Sequence, residues 1–322
     1  MGSAVEVVRI ENLTKQYKPG WPWQAPVNAL NGLSLSVQRG EIYGFLGPNG
    51  SGKTTTLKIL LGLIKATGGK AEIFGRPAGE VAVRRRLGFL PESPYFYDYL
   101  TAEEFLTFYG RMAGLERAYL TGRVTTLLEL VGLSEARTRQ LRKFSKGMLQ
   151  RVGLAQALIH DPELVIMDEP MSGLDPVGRK QVRDLILSLR DQGKTVFFST
   201  HIIPDVEVMC DRVGIVLKGK LLTEGRVEEL VNHASTRSVE IVCEGISVET
   251  TPGIVRIARK VYQRGRQGLI QLHDPKQVDE VLAAIRAGGG RTLSVTPLKG
   301  SLEELFFPQA AANAEVLASG GE

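Results

Sequence analysis

Gly47-Pro48-Asn49-Gly50-Ser51-Gly52-Lys53-Thr54-Thr55 fits the phosphate-binding pattern G-x-x-x-x-G-K-[ST] without gap or substitution. The run before it, Ile42-Tyr43-Gly44-Phe45-Leu46, reads as a strand, and Thr54 to Leu63 reads as a helix with apolar Leu57, Leu60, Leu61 and Ile64. Strand, glycine-rich loop and helix in that order are the setting the pattern needs. Gly47, Gly50 and Gly52 allow backbone conformations that a Cβ forbids, so successive N–H groups can turn toward phosphate oxygens. The helix presents its partly positive N-terminus to the same anion. Lys53 brings a full charge to the β and γ phosphates, and the Thr54 hydroxyl is placed to hold magnesium. The expected ligands are a nucleoside triphosphate and Mg2+.

A second run carries chemistry of its own. In Leu164-Val165-Ile166-Met167-Asp168-Glu169-Pro170, four apolar residues read as a strand buried on both faces, and it ends in two carboxylates. Asp168 suits a magnesium site beside the loop threonine, and Glu169 suits orientation and deprotonation of an attacking water. Val196-Phe197-Phe198-Ser199-Thr200-His201 repeats the arrangement with a histidine at the strand end. A lone histidine is more often structural, yet His201 falls where the carboxyl ends of parallel strands gather and ligands bind.

At 322 residues the chain is long enough for two domains. Hydrophobic residues at 43% and charged residues at 23% give a globular balance, which excludes a disordered or fibrous chain. A formal charge of +5 permits an anionic partner without arguing for nucleic acid, and none is expected. Cys210 and Cys243 stand in no metal or redox spacing, which fits a reducing compartment. No apolar run reaches bilayer length, and Met1-Gly2-Ser3-Ala4 lacks the features of a signal peptide. The expectation is a chain soluble by itself, with any membrane role supplied through a partner.

Before the loop, residues 5–13 and 33–37 read as strands, separated by Lys18 to Pro26, where three prolines forbid regular structure. Tyr17, Trp21 and Trp23 could stack on an adenine base or pack loop onto core; composition does not choose between these. After the loop, Lys70 to Phe74 is a short strand, and Arg84 to Leu90 leads to another. Thr101 with Glu104 forms a capping box, which starts a helix with Phe105, Leu106, Phe108 and Tyr109 on its apolar side; a second helix follows over 121–131. Tyr95 to Tyr99 precede that capping box and cannot all be buried by the helix, so core packing and an exposed cleft for a partner protein both stay open. Phe144-Ser145-Lys146-Gly147-Met148 opens a helix whose buried face should be Met148, Val152, Ala155 and Ile159. Ser145 and Gly147 can offer a hydroxyl and a bare N–H to an anion, as many helix starts can.

In their order these motifs resemble the nucleotide-binding subunits of ATP-binding cassette (ABC) transporters over roughly the first two thirds of the chain. The resemblance implies an α/β P-loop NTPase cassette over residues 5–225, with a mixed core sheet, an antiparallel β subdomain and a helical subdomain at about 92–160. It makes Gly47 to Thr55 the Walker A loop, Asp168 and Glu169 the end of Walker B, Ser172-Gly173-Leu174-Asp175 the D-loop and His201 the switch histidine. Tyr17 takes the place of the adenine-stacking aromatic and is favoured over the two tryptophans on that ground. It implies ATP and Mg2+ as cofactors, with Thr54, Glu92 and Asp168 about the metal. It also implies head-to-tail pairing of two cassettes, each ATP held between Walker A of one copy and Ser145 and Gly147 of the other, with Asp175 nearby.

Two departures from the family pattern stand out. The signature reads Ser145-Lys146-Gly147-Met148, as in cassettes that serve ABC-2 type exporters, and Glu92 follows Pro91 where glutamine is usual. A carboxylate at Glu92 can ligate magnesium but adds negative charge beside a triphosphate. The resemblance implies a second cassette, a homodimer being favoured, and an integral-membrane permease as partners, and hence a place at the cytoplasmic face of the membrane. The helical subdomain with Tyr95 to Tyr99 would then receive a short helix of the permease. The other readings are a soluble cassette ATPase with a non-membrane partner and an importer ATPase. Residues 226–308 read as a small α+β domain without a catalytic constellation: a helix over 226–234, strands at 238–243, 255–257 and 268–272, a helix from Pro275 to Ala287 ended by Gly288-Gly289-Gly290, and a close at Val295 and 301–307. Residues 309–322 are expected to form a flexible tail.

Overall fold

The computed structural model describes residues 5–18, 25–234, 239–272, 274–297 and 301–303. It divides into two compact units, one through Arg226 and one from Val227. The first begins with β1 (Glu6–Tyr17) and β2 (Val27–Gln38), an antiparallel pair longer than either stretch expected from sequence. Pairing of Tyr17 with Val27 carries both strands past the polar residues that conceal them in the sequence, and bulges absorb the irregular alternation. Next come β3 (Ile42–Leu46) and α1 (Lys53–Leu60), then β4 (Gly68–Ile73) and β5 (Arg76–Pro77), which complete a four-stranded sheet in the order β2-β1-β4-β5.

After the short α2 (Val81–Arg84) and β6 (Leu87–Leu90), three helices follow: α3 (Ala102–Met112), α4 (Arg117–Leu130) and α5 (Lys146–Ala157). The capping box is present, with Thr101 Oγ1 accepting from Glu104 N at 3.2 Å and Glu104 Oε2 accepting from Thr101 N at 2.8 Å. Phe105 and Leu106 are buried, but Phe108 is 40% exposed. It stands edge-on to Tyr97 and Tyr109 on the flank of α3 instead of entering the core. Tyr95 and Tyr99 are exposed as well. In α5, Val152 and Ala155 are buried and Met148 half-buried, while Ile159 is buried just beyond the helix end.

The remaining elements of this unit are β7 (Leu164–Asp168), α6 (Pro176–Asp191), β8 (Thr195–Thr200), α7 (Ile203–Met209), β9 (Arg212–Leu217) and β10 (Lys220–Arg226). They close a six-stranded sheet in the order β10-β9-β3-β8-β7-β6, parallel except for β10. Every residue of β3, β7 and β8 is buried, as strands covered on both faces require. Register then fixes the site: Leu46 pairs with Thr200 and Asp168 with Ser199, so the phosphate loop, the two carboxylates and His201 leave the sheet along one edge. Among the described residues no helix is long and apolar enough to cross a membrane.

The second unit holds α8 (Val227–Ala234), β11 (Val239–Glu244), α9 (Pro252–Val255), β12 (Lys260–Arg264), β13 (Gln267–Leu272), α10 (Val278–Ala287) and β14 (Arg291–Pro297). Its antiparallel sheet runs β12-β13-β11-β14, and Ile241, Ile270, Leu272, Val281 and Ile285 are buried in its core. The strand expected at 255–257 is absent. Pro252 opens the one-turn α9 there, ending at Val255, and Ile254 is its buried anchor. The strand lies instead at β12, whose Lys-Val-Tyr-Gln-Arg sequence hides an alternation with two basic ends. Pro275 to Gln277 form a 3-10 turn before α10, and Gly288 ends that helix as expected. Trp21, Trp23, residues 304–307 and the expected tail lie outside the described residues.

Candidate nucleotide site

The loop between β3 and α1 depends on its glycines for two different reasons. Gly50 and Gly52 have φ of 78° and 107°, in the left-handed region that side chains avoid. Gly47 is required by space: a Cβ there would collide with the carbonyl oxygen of Val216 and lie 2.6 Å from Ser51 Oγ. The loop is tied to its neighbours by Gly47 N donating to Thr200 O at 3.1 Å and Gly219 N donating to Ser51 O at 2.9 Å.

Lys53 turns back into this loop, 6% exposed, and donates to the carbonyl oxygens of Gly47 at 2.7 Å and Pro48 at 3.1 Å. Its ammonium also stands 3.3 Å from Glu169 Oε1, and Glu169 Oε2 is 2.9 Å from His201 Nδ1. Glu169 is 7% exposed and follows β7 with φ of 48°, a strained setting that persists where surrounding contacts fix it. Here those contacts come from Ser199 on β8. Glu169 N donates to both Ser199 O and Ser199 Oγ at 3.1 Å, and Ser199 Oγ donates to Asp168 Oδ1 at 2.5 Å. One buried hydroxyl therefore holds the Asp168 carboxylate and the backbone N–H of Glu169.

These groups border a cleft of about 390 Å³ lined by Tyr17, Asn49, Gly50, Gly52, Lys53, Thr54, Thr55, Glu92, Glu169, Ser172 and His201, with Val27, Asn28 and Ala29 from β2. Tyr17 OH lies 3.5 Å from Thr55 Oγ1, and Lys15 Nζ is 5.0 Å from the Tyr17 ring centre. A larger cleft of about 550 Å³, beside Arg139, Met148 and Arg151, has no phosphate cradle. Asp168 sits behind the nucleotide cleft, 5% exposed. No cluster of three His, Cys, Asp or Glu suited to a metal occurs among the described residues. The Thr54 hydroxyl with the Glu92 and Asp168 carboxylates is nevertheless a hard-oxygen set of the kind magnesium takes together with substrate phosphates.

Seven of the candidates read from the sequence do not line this cleft: Gly47, Pro48 and Ser51 of the phosphate loop, Asp168 behind it, and Ser145, Gly147 and Asp175 on other elements. Ser145 caps α5, its Oγ accepting from Met148 N at 3.3 Å; Gly147 faces open space; Asp175 caps α6, its Oδ1 accepting from Gly178 N at 2.9 Å. Conversely, the sequence does not mark Ser199 or the Val27-Asn28-Ala29 strand edge as part of the site, and Ser172, read as part of the D-loop, lines the cleft. Ser199 gives no signal as a serine inside an apolar strand. The β2 edge becomes visible only once its register against Tyr17 is known.

Fold and site together define a P-loop ATPase cassette, an α/β protein. A family model for ABC transporters matches residues 30–172. A Synechocystis protein described as the uncharacterized ABC transporter ATP-binding protein sll0415 is 44% identical over 305 residues, 94% of this chain and 84% of its own length. The fluoroquinolones export ATP-binding protein Rv2688c of Mycobacterium tuberculosis is 37% identical over 242 residues, covering 74% and 77% of the two chains. Among solved structures, a dimeric ATP-binding cassette in a post-hydrolysis state with ADP and Pi superposes with a TM-score of 0.62 at 27% identity, covering 68% of this chain and 98% of that one. The chain belongs to the ABC transporter ATP-binding proteins and is an ATPase of that family.

Proposed function

We propose that this chain is the ATP-hydrolysing subunit of an ABC-2 type exporter, pairing with a second cassette around ATP to drive a separate membrane permease from its cytoplasmic side. The observation that carries the reading is the Lys53–Glu169–His201 contact at the floor of a phosphate cradle, with Ser145 and Gly147 of the same chain outside that cleft. A site so divided calls for a second copy, and the dimeric solved neighbour supports this. The export name of a relative and the Ser145-Lys146-Gly147-Met148 signature favour an exporter over an importer or a soluble cassette with a non-membrane partner.

In this reading Tyr17 stacks on adenine, and the backbone of Gly47 to Thr55 cradles the phosphates. Thr54, Asp168 and Glu92 would hold magnesium, which would neutralise phosphate charge. Glu169 takes the proton of the attacking water, and His201 contacts the γ-phosphate. Ser145 and Gly147 meet the nucleotide of the partner copy, with Asp175 at the junction. Residues 5–225 form the nucleotide-binding domain, 226–308 an accessory domain and 309–322 a tail.

The test uses Glu169→Gln, which keeps the shape of the side chain and removes the base. With ATP and Mg2+ it should sediment as a stable dimer and turn over at least about a hundredfold more slowly. A variant that stays monomeric at saturating ATP overturns the pairing. Co-purification from membranes tests the exporter reading, which requires a partner with about six apolar spans.

A further inference from the structure

Asp205 lies in the first turn of α7, four residues after His201, and is 2% exposed. Facing it from α6 are Arg179, with Nε 4.0 Å from Asp205 Oδ2, and Arg183, with Nη2 3.7 Å from Asp205 Oδ1. Both separations are too long for hydrogen bonds, and Asp205 Oδ2 and Arg183 Nε are buried with no hydrogen-bond partner. Burial pushes the Asp205 carboxyl above its usual 3.8, while Arg179, Arg183 and His201 pull it back. Asp205 is thus a sealed acidic group held between the helix that Asp175 caps and the segment that carries His201. It is not among the residues that line the nucleotide cleft.

A buried carboxyl without closed hydrogen bonds is costly to keep for stability alone. Its attraction to two guanidinium groups acts over distance and is weakly directional, so it can hold two helices at a spacing while they shift by fractions of an ångström. We propose that Asp205 is a positioning residue for hydrolysis: through Arg179 and Arg183 it sets the spacing of α7 from α6, and with it the contact of His201 with Glu169. The proposal rests on the reading of Glu169 and His201 as the hydrolytic pair.

The test is steady-state ATPase kinetics of the full chain carrying Asp205→Asn, Arg183→Gln, both together, and Asp205→Glu, with thermal unfolding alongside. Asp205→Asn should lower kcat about tenfold with KM for ATP changed less than about twofold, since a small displacement of reacting groups costs rate and not binding. Arg183→Gln should shift kcat the same way, the double variant should be no slower than Asp205→Asn, and Asp205→Glu should recover most of the rate. Unchanged kcat in Asp205→Asn, a matching rise in KM, or additive losses in the double variant would overturn the proposal. If Asp205→Asn fails to fold, Arg183→Gln decides alone, because its side chain is partly exposed at 26%. His201→Ala separates the two readings. Full activity there removes the hydrolytic assignment itself, whereas its loss beside an unaffected Asp205→Asn removes only the role of Asp205.

Discussion

Lys53 Nζ stands 3.3 Å from Glu169 Oε1 while donating to the carbonyl oxygens of Gly47 and Pro48, so the candidate phosphate cation and the candidate base face each other across the cleft. The side chains are only 6% and 8% exposed, so neither charge has water to fall back on. Lys53→Met should therefore destabilise the nucleotide-free protein by about 3 kcal/mol, the low end for a broken buried pair because His201 still reaches Glu169. Adding Glu169→Gln should restore most of that loss. Denaturant unfolding of the single and double variants measures it.

Ser199→Ala removes the hydroxyl that accepts from Glu169 N and donates to Asp168 Oδ1. Glu169 N keeps Ser199 O, but Asp168 Oδ1 loses its partner, and a buried group so deprived should cost about 1–3 kcal/mol. The substitution should also raise the magnesium concentration needed for half-maximal ATPase, since Asp168 loses its orienting contact. A magnesium titration that coincides with that of the parent would count against this role.

Tyr17→Ala should weaken ATP binding by about 0.5–1.5 kcal/mol, the range for an aromatic stacking contact, while Tyr17→Trp should keep it. Inorganic triphosphate, which has no base to stack, should bind all three proteins alike. Calorimetric titration of both ligands distinguishes stacking from a general effect on the loop.

Acid sensitivity can be traced to an ion pair far from the cleft. Arg86 Nε and Nη2 donate to Glu163 at 2.6 and 2.9 Å, and this hydrogen bonding, ahead of the charges of Arg86 and Arg39, holds the Glu163 carboxyl below its usual 4.5. A depressed carboxyl contributes stability above the unfolded value and loses it as pH falls through the folded value. The Glu163 side chain is 44% exposed, so screening should leave the pair only about 0.5 kcal/mol. The stability gap between the parent and Arg86→Ala should be largest at pH 7 and narrow by about 0.5 kcal/mol as pH falls from 4.5 through the lower folded value of Glu163. The remainder is the pH-independent contact of Arg86 with the Phe74 ring, 3.7 Å from its centre.

The sequence exposes the strand–loop–helix around Lys53, the apolar run ending in Asp168 and Glu169, and the Thr101 capping box because each is a local pattern with a local cause. What it hides depends on partners distant in the chain. The extension of β1 to Tyr17 needs Val27 opposite it, and the role of Ser199 needs β7 alongside β8. Residues 255–257, Val-Arg-Ile, alternate in a way that fits a strand as well as a helix end, and Pro252 at the start of α9 tips the balance. Gly47 looks like Gly50 in sequence, yet it is the close approach of Val216 and Ser51 that explains it.

Ser145 and Gly147 do not share a cleft with Lys53 in one copy. Two inactive forms of this protein, one altered at Lys53 and the other at Ser145, would on the proposed pairing rebuild one working cage and one doubly broken cage when mixed. Damage to this protein would then be complementable between alleles, and activity recovered from two dead preparations would reveal the cross-subunit division of labour.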